Sequence, residues 1–260
     1  MHPDLATLPL GDWLHTALFG YYPYVCLAVM IVGSILRFDR EQYSWRSGSS
    51  QMLRKKQLAW GSNLFHLGIL FLFFGHLVGL LTPHAIYSRV VSAETKQWTA
   101  IIAGSLAGVA CFAGLTLLMH RRFFDPRIRV TSTFGDNAVL VILWVQLVLG
   151  LLTVPFSLGH GDASVMLRLS AWAQGVFTFA PNNAANVVGL DWPYLVHLVL
   201  GLTIFLLFPF TRLVHMLSAP VWFLNRRGWQ LVRTRNRTLP KRVDAAPGVA
   251  PGVARRVAAE

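Results

Sequence analysis

The sequence predicts an all-α integral membrane bundle of five transmembrane helices. Three observations lead there. The 260 residues are 54% hydrophobic and only 13% charged, against about a quarter charged in soluble domains. Five apolar runs are each long enough to cross ~30 Å of hydrocarbon at ~1.5 Å rise per residue. The basic residues alternate between the segments that connect those runs.

Residues 1–20 read as an outer N-terminal tail, with Asp4 and Asp12 but no Lys or Arg. Without a basic n-region it does not resemble a cleaved signal peptide, so the first span is expected to persist in the mature protein. The membrane domain is expected over residues 21–237. Its spans fall near 21–38, 58–81, 98–119, 138–156 and 192–210, the last extendable to about Leu217. In the third span Gly104, Ala107, Gly108 and Cys111 recur at four-residue spacing. Small residues so spaced let helix backbones approach, and helix packing explains them. The connection 157–191 contains a loosely amphipathic stretch with Val165, Leu167, Leu169, Trp172, Val176 and Phe177. It is expected to lie on the outer surface. Residues 238–260, with a repeated "APGVA", read as a disordered Pro/Ala-rich cytoplasmic tail.

Charge orients the bundle. The segments carry 0, 6, 2, 4, 1 and 10 Lys or Arg in chain order. Cytoplasmic segments hold the basic excess, so the N-terminus is expected outside, in the periplasm, and the C-terminus in the cytoplasm. The net charge of +12 is therefore topological. Nucleic-acid binding would need those residues on a folded soluble surface. Cys26 and Cys111 both fall within spans, and no CxxCH motif for covalent haem occurs.

Nine histidines remain to be explained. His2, His15, His84, His120 and His160 fall in tails or at span boundaries, where histidine is unremarkable. The other four do not. His66 and His76 lie in the second span, inside "SNLFHLGILFLFFGHLVGLLTPH", and His197 lies in the fifth. His215 follows on the same helix if that helix continues past Pro209. Ionisable side chains in hydrocarbon are costly and need partners. The spans offer no carboxylates for a proton relay, whereas neutral imidazole is a common axial ligand of haem iron.

Depth suggests the pairing. His76 is five residues from Leu81, and His197 five from Trp192. Both thus sit ~8 Å below the outer boundary. The inner pair would be His66 with His215, a poorer match. Ten residues between His66 and His76 span ~15 Å, while eighteen between His197 and His215 span ~27 Å. Tilt and a kink at Pro209 are needed. Eighteen residues also make five full turns, so both histidines of an unbroken fifth helix would face one way.

From about Tyr22 to Arg235 the chain resembles the gamma (cytochrome b) subunit of bacterial membrane-bound respiratory nitrate reductase. The resemblance is dense in "YYPYVCLAVMIVGSILRFDREQYSWRSGSSQML", in the histidine stretch quoted above, in "RRFFDPRIRVTST" and in "HLVLGLTIFLLFPFTRLVH". It implies two b-type haems, with His76 and His197 as iron ligands of a distal haem and His66 and His215 of a proximal one. It implies quinol oxidation, of menaquinol or ubiquinol, near Gly75, His76 and Lys96. Read alone, Lys96 is a lysine snorkelling from a helix end. The resemblance also implies a cytoplasmic iron–sulfur beta subunit and a molybdenum-cofactor alpha subunit that reduces nitrate to nitrite. The location would be the bacterial inner membrane. A dihaem cytochrome b feeding a sulfur-compound or heterodisulfide reductase is the nearest alternative. A haem-free anchor or transporter is the alternative of another class.

Overall fold

A computed structural model of the chain describes residues 10–218, apart from 49, 51, 52, 54, 160 and 161. His2, His160 and the tail expected from residue 238 lie outside the described residues. Among those residues there is no strand, and five helical segments are long and apolar enough to cross a membrane.

The first span, Gly11–Arg40, starts ten residues before its apolar run does. Here α1 (Leu10–Thr16) passes through one π turn, Ala17–Tyr21, into α2 (Tyr22–Arg40). A π turn leaves backbone groups poorly paired. One is taken up from a distance: the Trp172 indole N–H donates to the Phe19 carbonyl at 2.9 Å.

The remaining helices are α3 (Lys55–Leu81), α4 (His84–Tyr87), α5 (Ala93–Phe124), α6 (Pro126–Val130), α7 (Phe134–Leu158), α8 (Ser164–Thr178) and α9 (Trp192–Leu207). Both α5 and α7 outrun their apolar cores because polar caps start them early. Ser92 Oγ accepts the Thr95 N–H at 3.2 Å at the head of α5. Thr133 and Asp136 bond each other's backbone N–H, at 3.2 Å each, in a capping box that opens α7.

Packing runs α3 on α5, α5 on α7, α7 on α9 and α9 on α2. Glycine sets the closest approach. A Cβ on Gly114 of α5 would lie 2.3 Å from the Phe65 backbone nitrogen of α3. Seven residues back along α5 and three on along α3, a Cβ on Gly68 would lie 2.8 Å from the Ala107 carbonyl oxygen and 2.7 Å from the Cys111 Cβ. Gly108 instead faces α7, where Leu151 would clash with a Cβ at 2.8 Å, and Gly104 has nothing within 4 Å. The small residues of the third span thus serve two interfaces and one open face.

The helix expected to lie on the surface does more than that. Val165, Trp172, Ala173 and Val176 of α8 are buried in one core cluster with Phe19, Cys26 and Tyr194. Gln174 reaches α3 and donates to the Leu80 carbonyl at 2.9 Å, one of the orphan carbonyls of a helix C-terminus. Only Phe177 of the apolar set is fully turned outward.

The last span departs most from expectation. Helix α9 ends at Leu207, Phe208–Phe210 form a 3-10 turn, and Thr211 is extended with φ −121° and ψ 178°. A second 3-10 stretch, Arg212–Ser218, follows. There is no unbroken helix from His197 to His215, so the two histidines do not share one helical phase. Proline starts the break by removing a donor. Arg37 of α2 sustains it, donating through Nη1 to the carbonyls of Pro209 at 2.6 Å and Thr211 at 2.7 Å. Gly33 lets the two elements meet, since a Cβ there would lie 2.8 Å from Pro209 Cγ.

The glycine contacts give a paired prediction. Gly114→Ala should destabilise the bundle by about 1–3 kcal/mol through forced separation of α3 and α5. Gly104→Ala, in open space, should be neutral or slightly stabilising. Thermal unfolding of the two detergent-solubilised variants checks the order.

Candidate functional site

Two pairs of histidines meet between α3 and the chain of α9. The rings of His76 and His197 have centroids 6.3 Å apart with planes inclined at 34°. Those of His66 and His215 have centroids 6.4 Å apart with planes at 70°. Along α3 the pairs are separated by ten residues, or ~15 Å. The break after Leu207 is what brings His215 back to the level of His66, where a straight helix would overshoot.

Each ring is oriented by its own backbone. Nδ1 of His66 lies 2.7 Å from the Ser62 carbonyl oxygen, and Ser62 Oγ is 3.1 Å away. Nδ1 of His76 lies 2.7 Å from the Leu72 carbonyl, and Nδ1 of His215 lies 2.5 Å from the Arg212 carbonyl. A carbonyl only accepts, so each Nδ1 carries the proton. The opposite nitrogen, Nε2, keeps its lone pair, which is the arrangement a metal-binding imidazole needs.

His197 is held differently. Its Nδ1 is buried without a hydrogen-bond partner. Gln146 of α7 donates to the His197 carbonyl at 3.0 Å and lies 3.4 Å from its Nε2. Gly150 completes the cradle: a Cβ there would lie 3.0 Å from His197 Cε1. A side chain at 150 would press directly on the ring.

These features fit a metal group held by two imidazoles. Rings bound on opposite sides of one metal, at about 2 Å per metal–nitrogen bond, have centroids roughly 6 Å apart. Among the described residues no three or more His, Cys, Asp or Glu side chains gather into a metal site. The histidines meet as pairs, the ligand number of a haem held by the protein on both faces.

Near His215 a charge network fixes the broken strand. Asp136 accepts from Arg212, with Nη2 at 2.5 Å and Nε at 2.8 Å, and Arg122 Nη1 stands 3.6 Å from its other oxygen. The carboxylate that caps α7 therefore also anchors the turn carrying His215. Gly48, at φ +56°, lies against this guanidinium, and a Cβ there would come within 3.1 Å of Arg212 Nη2.

At the α8 end of the bundle, Gly75 has nothing within 4 Å of a notional Cβ, so the space beside His76 is open. Lys96 does not snorkel. Its Nζ is buried without a hydrogen-bond partner and stands 3.6 Å above the centre of the Tyr87 ring. The Tyr87 hydroxyl is likewise buried and unpartnered, and burial raises the phenol above its ordinary pKa. His84 meets the edge of Tyr87 with centroids 5.1 Å apart. His15 and His120 make local ring contacts with Phe19 and Phe124, at 4.8 and 4.9 Å.

Gln146, Tyr87, Arg37 and the Asp136–Arg212 pair escape a reading of the sequence alone. Gln146 was the most accessible of them, being an amide in the middle of an apolar span.

The fold and these pairs define a class: an all-α, multi-pass membrane protein with histidines coupled at two depths between the same two segments. The family profile of the nitrate reductase gamma subunit matches residues 15–235. The chain is 48% identical over 225 residues to the respiratory nitrate reductase 1 gamma chain of Escherichia coli (strain K12), covering 86% of this chain and 100% of that one. It is 36% identical over 210 residues to the nitrate reductase gamma chain of Bacillus subtilis (strain 168), covering 80% and 94%. A more distant relative, 26% identical over 162 residues and covering 62% and 46%, is an Hdr-like menaquinol oxidoreductase cytochrome b-like subunit of Archaeoglobus profundus. The chain belongs to the nitrate reductase gamma subunit family and is a multi-pass protein of the inner membrane.

Removing the Asp136 carboxylate leaves Arg122 and Arg212 facing each other. Asp136→Ala should cost on the order of 2 kcal/mol. In a cycle with Arg212→Ala, the double variant should lose less than the sum of the singles. Apparent melting temperatures in detergent measure both.

Proposed function

We propose that this chain is the membrane cytochrome b subunit of a respiratory nitrate reductase: it oxidises quinol near the outer face and delivers the electrons to cytoplasmic subunits that reduce nitrate. The observation that carries this reading is the two imidazole pairs, each with centroids 6.3–6.4 Å apart and stacked at two depths. His76 and His197 would hold the distal b haem, and His66 and His215 the proximal one. Bound there, haem supplies one-electron redox chemistry, which links a two-electron quinol to one-electron iron–sulfur carriers.

The side chains have separate tasks. Three of the four imidazoles are fixed by backbone carbonyls through Nδ1, so Nε2 points away from the parent helix. Gln146 and Gly150 fix the fourth. Gly75 leaves room beside His76 for a flat quinol ring. Lys96 offers an ammonium with three donors and no protein acceptor. Donated to a quinol oxygen, it favours loss of the hydroxyl proton. The quinol gives up two electrons and two protons in becoming quinone, and the protons leave on the outer side. Apolar spans around the site withhold water, so the proton's exit is confined to the α8 end.

The basic segments support an orientation with the N-terminus outside and the C-terminus in the cytoplasm. The cytoplasmic face then presents Arg127 and Arg129 of α6 to an iron–sulfur beta subunit, beyond which the molybdenum alpha subunit acts. The domain limits follow the same reading once the first span is carried back to Gly11: an outer tail before it, the membrane domain from there to 237 and a cytoplasmic tail over 238–260. The Archaeoglobus relative keeps a second reading in view, a cytochrome b of another quinol-linked reductase. The subunits that co-purify decide between them.

Substitution of ligands tests the haem assignment. His76→Ala or His197→Ala should remove one of two b haems from the spectrum and abolish quinol-driven nitrate reduction, while dye-driven reduction by the complex persists. His66→Ala or His215→Ala should remove the other. Unchanged haem content in all four variants would sink the assignment. Orientation has its own measurement. A phosphatase fused at the N-terminus should be active and one fused at the C-terminus inactive, with the reverse for a reporter that folds only in the cytoplasm.

A further inference from the structure

Lys96 raises a question that the quinol reading leaves open. A buried ammonium on a flexible four-carbon stem has many places to go, and water lies a short distance beyond the end of the helix. Snorkelling is the ordinary outcome. Here Nζ instead rests on the face of an aromatic ring, 3.6 Å from its centre, with all three donors unused by the protein.

The local chain explains how the ring comes to be there. Pro83 starts α4, accepting the backbone N–H groups of Ile86 at 3.0 Å and Tyr87 at 3.3 Å. The chain then turns, with Val90 and Val91 N–H both bonded to the Tyr87 carbonyl at 2.9 Å. Ser92 caps α5 at once, and Lys96 follows one turn later. Tyr87 is thus folded back over the first turns of α5. His84 also packs on the Tyr87 ring, with planes inclined at 78°. The level is right as well. Gly61 abuts Gly114 and Gly68 abuts Ala107 on antiparallel helices. Continued outward, that register sets residue 99 level with His76 and Lys96 one turn further, beside Gly79. Gly75 and Gly79 both have open space where a side chain would be.

We infer that Tyr87 is the positioning residue of the quinol site: its ring face holds the Lys96 ammonium buried and inward, with its donors free for a quinol oxygen. This inference rests on the reading of Lys96 as a quinol-binding group. Attraction between a desolvated cation and an aromatic face is strong enough to select one lysine conformer over the many that reach water. The ring acts through Lys96 and needs no contact with quinol. The phenolic hydroxyl is not what holds the cation, so phenylalanine should serve nearly as well.

The test uses the complete reductase complex and a short-chain soluble quinol. Haem content and dye-driven nitrate reduction serve as controls on assembly. Tyr87→Leu should raise KM for quinol about tenfold, with haem content unchanged, and Tyr87→Phe should recover most of that loss. In a Lys96→Ala background, Tyr87→Leu should have no further effect, whereas a merely structural role would add its own loss. A KM within about twofold of the parent in Tyr87→Leu overturns the inference, as does a loss in Tyr87→Phe equal to that in Tyr87→Leu. Should Tyr87→Leu accumulate without haem, Tyr87→Met, which fills the space without a ring, carries the same comparison. The two failures are separable. Lys96→Ala with unchanged KM sinks the quinol site itself. An impaired Lys96→Ala beside a normal Tyr87→Leu sinks only the positioning role.

Discussion

Hydrocarbon offers no hydrogen bonds, so a carbonyl released inside a membrane protein must find its donor in the chain. The last span releases two at its break, and a single guanidinium takes both: Arg37 bonds the carbonyls of Pro209 and Thr211. The rest of the inner site depends on that contact. Without it the extended conformation at Thr211 would leave bare polar backbone, and a continuous helix would be the favoured course. A continuous helix would carry His215 ~12 Å past the level of His66. The arginine thus belongs to the geometry of the imidazole pair although it touches neither ring. Asp136 holds the far side of the same turn through Arg212. The segment bearing His215 is therefore pinned from α2 and from α7 at once.

The two pairs are supported by unlike means. His66, His76 and His215 each use the carbonyl three or four residues earlier, a local device that comes with the turn they sit on. His197 relies on Gln146 and Gly150, both from a neighbouring helix. Its orientation is a tertiary property. Errors in helix packing should disturb the His76–His197 pair first, because one of its rings has no local anchor. Close packing is correspondingly strict between α3 and α5, where Gly61, Gly68 and Gly114 bring backbones into contact. That interface fixes the height at which α3 presents both of its histidines.

The spans were legible in the sequence because apolar length is nearly all that hydrocarbon demands of a helix. Their ends were less so. The early start of the first span depends on Trp172 reaching the Phe19 carbonyl from a segment 153 residues away. No local signal announces such a bond. The four intramembrane histidines stand out for the cost of burying imidazole, and their pairing follows from depth on the outer side. On the inner side a straight-helix estimate failed. Proline marked the place of the break, but its size depends on Arg37, which reads in sequence as one more basic loop residue. Read without the resemblance, Lys96 looked like a snorkelling lysine for a related reason. Hydropathy knows the cost of an ammonium in lipid and nothing of the Tyr87 ring beneath it. The segment around Trp172 looked like a surface helix because its moment is loose. Packed against Phe19 and Tyr194, it needs apolar residues on more than one face.

The placement of the paired histidines bears on the order of assembly. Both α3 histidines are synthesised early, and both partners belong to the last span and the turn after it. A nascent chain that has inserted only its first four spans carries two imidazoles in lipid with nothing opposite them. Neither can be completed by any segment made before α9 emerges. Both pairs can therefore close only once the whole domain has been translated. Until then the two α3 imidazoles are polar groups in an apolar setting without the partners they need. Closure of the last turn onto Arg37 and Asp136 would then be the step that completes the second pair.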